Sequence, residues 1–392
     1  MRHQKSNSKI LFIGPFNDIG GRELEVSFIA NCFCENFEVK ILSTGLLTRK
    51  SQIYKFISSS KIDSINSIIY KERFLIKLST YISYLKNFRE KHKLNYISSK
   101  FNKKILDLEY YKKSVIRSEI SNSNVIFICA QLSSEFLSLI ITESNRLGKK
   151  IIFRPTGSIN IIQARKSINF LRLIDVFICH SKINAQPITH LLNNAIIYNI
   201  DQCAIEEKLL LNIPITNSNP ENLHFLCISR LSKEKRVDLV IESFLKCPYD
   251  DSILYIVGSG SELDNLKILA SNNSRIRFLG YIENHRLLEY FRKCTFVIIP
   301  YSNEETGPYT AIESMAAGRV IISPKTGAMP ERIPKNQFWF ERDNLDKKIS
   351  KALFATKNEI SKAANYNRER YKESYRMKII EKRYLEVLNY NN

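Results

Sequence analysis

Eleven short apolar runs, rich in Ile, Val and Phe, recur along this chain and constrain its fold more than any other feature. Six lie in the first half: KILFIGPF (9–16), VKILS (39–43), NVIFICA (124–130), KIIFRP (150–155), DVFICHS (175–181) and AIIYN (195–199). Five lie in the second: LHFLCISR (223–230), SILYIVGSG (252–260), RIRFLG (275–280), TFVIIP (295–300) and RVIISP (319–324). Helical or charged stretches separate them, which is the pattern of buried parallel strands joined by crossover helices. The polar segment DQCAIEEKLLLNIPITNSNPEN (201–222) interrupts the rhythm and reads as a linker. The expected fold is therefore α/β, with two Rossmann-like, doubly wound domains at 1–200 and 223–365. Helical spacing at Tyr375, Ile379, Tyr384 and Val387 predicts a C-terminal helix over 366–392 that packs back toward the first domain. In such sheets a ligand cleft is expected at the carboxyl ends of the strands.

Charge narrows the class of partner. The 392 residues carry 59 Lys and Arg against 39 Asp and Glu, a net +20, which implies anionic partners: nucleotides, nucleic acid or a phospholipid surface. From Ser51 to Arg117 fifteen basic residues face five acidic ones, so half of the net charge sits there. The same stretch holds FLIKLSTYISYLKNF, apolar and basic in helical rhythm. It reads either as a helix lying on an anionic membrane or as a solvated helix face. No RNP1 pattern or zinc-finger spacing occurs, so nucleic acid is not the expected partner. No run approaches the ~18 apolar residues of a membrane span, and Gly-Pro interrupts the first apolar run, so no signal peptide is expected. The eight cysteines are scattered without metal-ligand spacing and read as free thiols of a cytoplasmic protein, soluble or peripheral on the membrane's inner face.

The second half holds the residues with chemistry. Arg230 and Lys235 stand five apart across a strand-to-helix turn, which reads either as solvated surface or as two cations projecting at the end of the sheet toward a diphosphate. Gly258 and Gly260 sit in VGSG, a strand exit that is either a plain turn or a place where backbone can approach a ligand, and Gly280 ends another strand. In EETGPYTAIESMAAG (304–318), Pro308 suits the first position of a helix, with Thr306 or Gly307 as N-cap and Gly318 as the stop. The segment is then either a capped helix with Glu313 on its wet face, or a helix mouth suited to a phosphate with Glu305 folded over it.

Taken in order, RLSKEK, VGSGSEL, FLGYIENHRLLEYFRKC and IIPYSNEETGPYTAIESMAAGRVIISPKTGAMPERI resemble the C-terminal half of the group 1 glycosyltransferases, continuously from about 223 to 334. These are retaining, nucleotide-sugar-dependent enzymes of the GT-B fold, and Glu305 and Glu313 match their E-x7-E motif. The resemblance implies that Arg230 and Lys235 hold the donor diphosphate and stabilise the leaving nucleotide. It implies that Glu305 holds donor-sugar hydroxyls, that Thr306, Gly307, Pro308 and Tyr309 supply loop amides near the sugar and phosphates, and that Glu313 holds the ribose. Gly258, Gly260, Tyr281 and Ile282 match the lining of the nucleoside pocket. Gly20 and Gly21 match the glycine pair of a loop that closes near the diphosphate and acceptor. Asn199 and Asp201 in YNID resemble the hinge approach.

Three positions depart from the pattern. Arg236 stands where a glycine usually follows the lysine, and Thr306 where a glycine follows the first acid. The usual N-terminal histidine has no match, since IIFRPTGSI offers Arg154, Thr156 and Ser158, and His180 one strand later reads as structural. No Asp-x-Asp occurs, so no metal or other cofactor is expected. The implied partners are a nucleotide-sugar donor, UDP- or GDP-linked, and a glycan or lipid-linked acceptor. A GT-B epimerase or phosphorylase and, more remotely, a basic nucleic-acid-binding protein are the competing readings.

Overall fold

The computed structural model describes residues 8–215, 223–247, 251–301 and 306–389. The chain divides into two compact units, one of Met1–Cys179, Ala185–Ile200 and Arg383–Asn392, the other of His180–Asn184 and Asp201–Lys382.

In the first unit seven strands form one parallel sheet: β1 (Lys9–Gly14), β2 (Glu38–Ser43), β3 (Ile62–Ser64), β4 (Val125–Ala130), β5 (Lys150–Pro155), β6 (Val176–Cys179) and β7 (Ile196–Asn199). Their order is β3-β2-β1-β4-β5-β6-β7. Ile10 lies opposite Val39 on one side and Val125 on the other, so β1 is central. Every residue of β4 is buried, as a strand covered on both faces requires. Side chains alternate along β1. Leu11 and Ile13 join the core of Ile126, Ile128 and Phe153, while Phe12 stacks on Phe127 with ring centroids 4.6 Å apart.

The helix after β1, Gly21–Phe33, carries two acids that are both buried, Glu23 and Glu25. Glu25 accepts from Arg154 Nε at 3.1 Å and Nη2 at 2.5 Å, and Arg154 Nη1 donates to the carbonyl of Ile200 at 2.9 Å. The arginine of KIIFRP is therefore fully buried framework, linking the helix after β1 to the chain beyond β7.

The second unit repeats the plan with β8 (Phe225–Ile228), β9 (Leu254–Val257), β10 (Ile276–Gly280), β11 (Phe296–Ile298), β12 (Val320–Pro324) and β13 (Trp339–Phe340). Their order, β10-β9-β8-β11-β12-β13, is parallel throughout. Connections from β8 and β11 run to opposite sides, so the two strands flank the topological switch point.

The eleven apolar runs correspond to eleven strands, and two further strands escaped the pattern. β3 and β13 are three and two residues long at sheet edges, too short for a periodic signal. Two expected boundaries also shift. The stretch 201–222, read as a linker, contains the helix Glu207–Leu211 in its described part, and that part belongs to the second unit. The tail is two helices, Lys357–Ser374 and Met377–Asn389. Between them the buried Glu207 carboxylate accepts from Tyr371 Oη at 2.9 Å, Arg376 Nη2 at 3.1 Å and the Met377 amide at 2.7 Å. An acid drawn from far along the chain thus caps the second helix and fixes the break.

Glu25→Gln keeps the shape of the side chain and leaves the Arg154 charge buried without its carboxylate. Urea unfolding should show a loss of about 3 kcal/mol. An unchanged midpoint would remove Arg154 from the framework role.

Candidate functional site

At the carboxyl end of the second sheet the exits of β8, β9 and β10 continue to pair as loops. The Ser229 amide donates to Val257 O at 3.0 Å, the Leu231 amide to Ser259 O at 3.0 Å, and the Gly258 amide to Gly280 O at 2.8 Å. The glycines are demanded by this contact. A Cβ on Gly258 would stand 1.8 Å from Ser229 O, and one on Gly260 2.2 Å from Leu231 O. The VGSG turn thus lies against the loop that carries Arg230. Gly280 takes φ +68 with open space around it, and the neighbouring Tyr281 is exposed while Ile282 is half-buried.

Arg230 leaves this layer with its side chain 71% exposed, 3.9 Å from Glu234. Lys235 closes the single 3-10 turn Lys233–Lys235 and is half-buried. The next residue explains a departure noted in the sequence. Arg236 adopts the left-handed conformation, φ 49, which glycine takes without strain. Here the arginine anchors itself instead, its Nε 3.0 and 3.1 Å from the two oxygens of Asp238.

Beside β8 stands the helix Tyr309–Ala316, and Thr310 Oγ1 donates to Ile228 O at 3.3 Å. Its first turn therefore meets the strand that leads to Arg230 and Lys235. Pro308 is the N-cap, with extended ψ 138, one place before the helical position expected for it. The missing Pro308 N–H is no loss there, and its carbonyl is occupied by Arg332. Tyr309 is half-buried at the first turn, and Thr306 and Gly307 are buried. Glu305 lies outside the described residues.

Glu313 is only 6% exposed, which overturns the plain reading of it on a wet helix face. Burial, and then the nearby Glu206 carboxylate, push its carboxyl up to about 8. At neutral pH it holds a proton and can donate as well as accept a hydrogen bond.

Buried arginines grip this helix at both ends. Arg332 pairs with Asp201, Nε to Oδ2 at 2.8 Å and Nη2 to Oδ1 at 2.6 Å, and donates from Nη1 to Pro308 O at 2.7 Å. A Cβ on Gly307 would come within 2.7 Å of Arg332 Nη2, so the glycine leaves room for the guanidinium. At the other end Arg368 Nε donates to Ala316 O at 3.1 Å and Arg319 Nε to Ala317 O at 2.9 Å, cations where a helix dipole favours them. Sequence reasoning missed Arg332 and Arg368, since their partners lie 131 and 52 positions away.

In the first unit, Gly20 and Gly21 open the helix after β1, with the Gly20 amide donating to Gln52 Oε1 at 3.0 Å. The buried Glu23 folds back to accept from the Asn17 amide at 2.9 Å, so its carboxylate orders this loop. Of the residues standing in for the absent histidine, Arg154 is committed to Glu25, whereas Thr156 Oγ1 is buried with no hydrogen-bond partner among the described residues. Ser158 is exposed, and His180 is buried just beyond β6.

Comparison with known proteins bears on this geometry. Residues 211–373 match the family model of glycosyl transferases, group 1. An uncharacterized glycosyltransferase of Methanocaldococcus jannaschii is 24% identical over 292 residues, 71% of this chain and 69% of that protein. Two further uncharacterized glycosyltransferases of the same organism and the sulfoquinovosyl transferase SQD2 of Arabidopsis thaliana match over a third to a half of their own length. Among solved structures, Anabaena HepE in complex with UDP is similar at TM-score 0.70 and 14% identity, covering 97% of this chain and 99% of that one. Staphylococcal TarM in complex with UDP is similar at TM-score 0.70 and 13% identity, over 97% and 100% of the two chains. The fold is GT-B.

Two outcomes are expected of this part of the GT-B chain. Gly258→Ala should cost about 3 kcal/mol or more by urea unfolding, and Gly280→Ala only about 1 kcal/mol, since strain acts alone there. Equal effects would show that the loop contact is not what requires glycine. For Glu313 the folded state keeps a proton that the unfolded chain releases above about pH 4. Its contribution is therefore full below that pH and is lost progressively up to about pH 8, by at most about 5 kcal/mol. Glu313→Gln should flatten that decline in melts taken across the range; an identical pH profile would refute the burial effect.

Proposed function

We propose that this protein is a retaining glycosyltransferase that moves a sugar from a nucleoside-diphosphate sugar to a glycan or lipid-linked oligosaccharide in surface polysaccharide synthesis. The observation that carries the reading is the switch point of the second sheet. There the Arg230–Lys235 loop and the first turn of the Glu313 helix meet across the Thr310–Ile228 hydrogen bond. The group 1 match over 211–373 and the UDP named with HepE and TarM support a nucleotide donor, with UDP favoured over GDP.

In this reading Arg230 and Lys235 neutralise the diphosphate as it departs, and the amides at the N-terminus of Tyr309–Ala316 add partial positive charge. Glu305 holds hydroxyls of the donor sugar and Glu313 those of the ribose. The nucleoside sits along the Gly258–Gly260 turn, Tyr281 and Ile282, with Gly20 and Gly21 contributing near the diphosphate and acceptor. Retention follows from a front-face substitution. The acceptor oxygen bonds to the anomeric carbon on the face the phosphate leaves, and the departing phosphate oxygen takes the acceptor's proton. Positioning and charge stabilisation then supply the rate, and neither a metal nor a dedicated protein base is needed.

A thermal-shift panel of UDP- and GDP-sugars should single out one donor, with a stabilisation of about 2.7 kcal/mol at a hundredfold excess over its dissociation constant. With that donor, Lys235→Ala and Glu305→Ala should each lower turnover about a hundredfold to a thousandfold while melting like the parent. Near-normal transfer by both variants would sink the site. Interconversion of the donor sugar without transfer would make the protein an epimerase.

A further inference from the structure

The helix Phe74–Lys86 in the first unit is built inside out. Its buried stripe is Ile76 and Thr80, with Ser79, Ser83 and Tyr84 half-buried beside them. A polar pin fixes that face: Asn102 Nδ2 donates to Thr80 Oγ1 at 3.2 Å and to Ile97 O at 2.8 Å, both inside the unit. The apolar residues face water instead. Phe74 is 73% exposed and Leu75 62%, and Leu78, Tyr81, Ile82 and Leu85 are exposed too. At about 100° per residue these six fall within an arc about 120° wide, a continuous stripe along ~20 Å of helix. Exposed Lys77 and Lys86 border that arc, one at each edge. Just beyond the helix, Phe88 sits in a left-handed conformation, φ 51, and is 88% exposed.

Single exposed apolar residues are ordinary; a full stripe with an aromatic at its end is a contact surface. Its surroundings choose the occupant. From Lys71 to Lys104 ten Lys and Arg stand against only Glu72 and Glu90. A second copy docked face to face would bring two such basic fields together, which is repulsive. An anionic bilayer answers both features. The apolar stripe enters the boundary between headgroups and acyl chains, and the bordering lysines reach back to lipid phosphates along their aliphatic stems. No described helix is long and apolar enough to cross a membrane, so the contact is with one face of it.

We propose that the exposed face of Phe74–Lys86, with Phe88, is an interfacial membrane anchor selective for anionic lipid. The anchor is independent of the catalytic reading, since none of its residues belongs to the donor site. Vesicle co-sedimentation of the full chain tests it, with phosphatidylcholine alone against mixtures containing phosphatidylglycerol. Binding should require the anionic lipid and weaken with salt. The double variants Leu78→Asp/Ile82→Asp and Lys77→Glu/Lys86→Glu should each lower it by about tenfold or more. Both alter exposed positions, so their melting and donor-induced thermal shift should match the parent. Absence of binding, equal binding to neutral vesicles, or variants that bind like the parent would overturn the anchor. Self-association in light scattering that Leu78→Asp/Ile82→Asp abolishes would assign the face to a second copy and overturn it equally.

Discussion

The second unit is organised by the ion pair of Arg332 and Asp201. Both are buried, and the desolvation of such a pair is large enough that its geometry must be nearly complete. It is complete: the carboxylate takes two guanidinium bonds, Gln202 Oε1 accepts a further one at 3.0 Å, and Pro308 O takes the free arm. The pair joins three stretches far apart in sequence at one point, and that point is the loop in front of the Glu313 helix. With its donors spent on these partners, Arg332 is a positioning residue. In the proposed reading the cations that meet a diphosphate are those of the Arg230–Lys235 loop.

A division of labour among charges follows. Arg154, Arg319, Arg332 and Arg368 are buried and hold framework, each on carboxylates or carbonyls. Among the described residues, Arg230 is held by one long ion-pair contact, 3.9 Å to Glu234. Under the proposed function, binding and releasing a diphosphate calls for cations of this second kind, with the first kind holding the surrounding loops in shape.

Local patterns were legible in the sequence; remote pairings were not. The strands announced themselves because a strand covered on both faces is apolar at every position, as in NVIFICA. The glycines of VGSG were legible as a close approach, and the approach the structure shows is to the Ser229–Leu231 backbone. Glu313 was ambiguous because an acid on a helix usually faces water, and its burial depends on packing that no local pattern encodes. Arg332–Asp201 and Arg368–Ala316 join residues too distant for any periodic signal. The Phe74–Lys86 helix had a visible rhythm, but which face turned inward was decided by Asn102 bonding Thr80, and the sequence cannot rank that polar pin above six apolar side chains.

The grip on the C-terminal end of the Glu313 helix has a consequence for the order in which the chain matures. Arg368 bonds Ala316 O and, at 2.6 Å, the carbonyl of Ile213, which precedes it by 155 positions. During synthesis the Glu313 helix and the Arg230 loop leave the ribosome long before the residue that locks them. A chain halted before Arg368 would carry all of the proposed donor-site residues and still lack that lock. On the proposed reading the donor site is thus completed late in folding, and a C-terminal truncation that removes Arg368 would act on it from a distance.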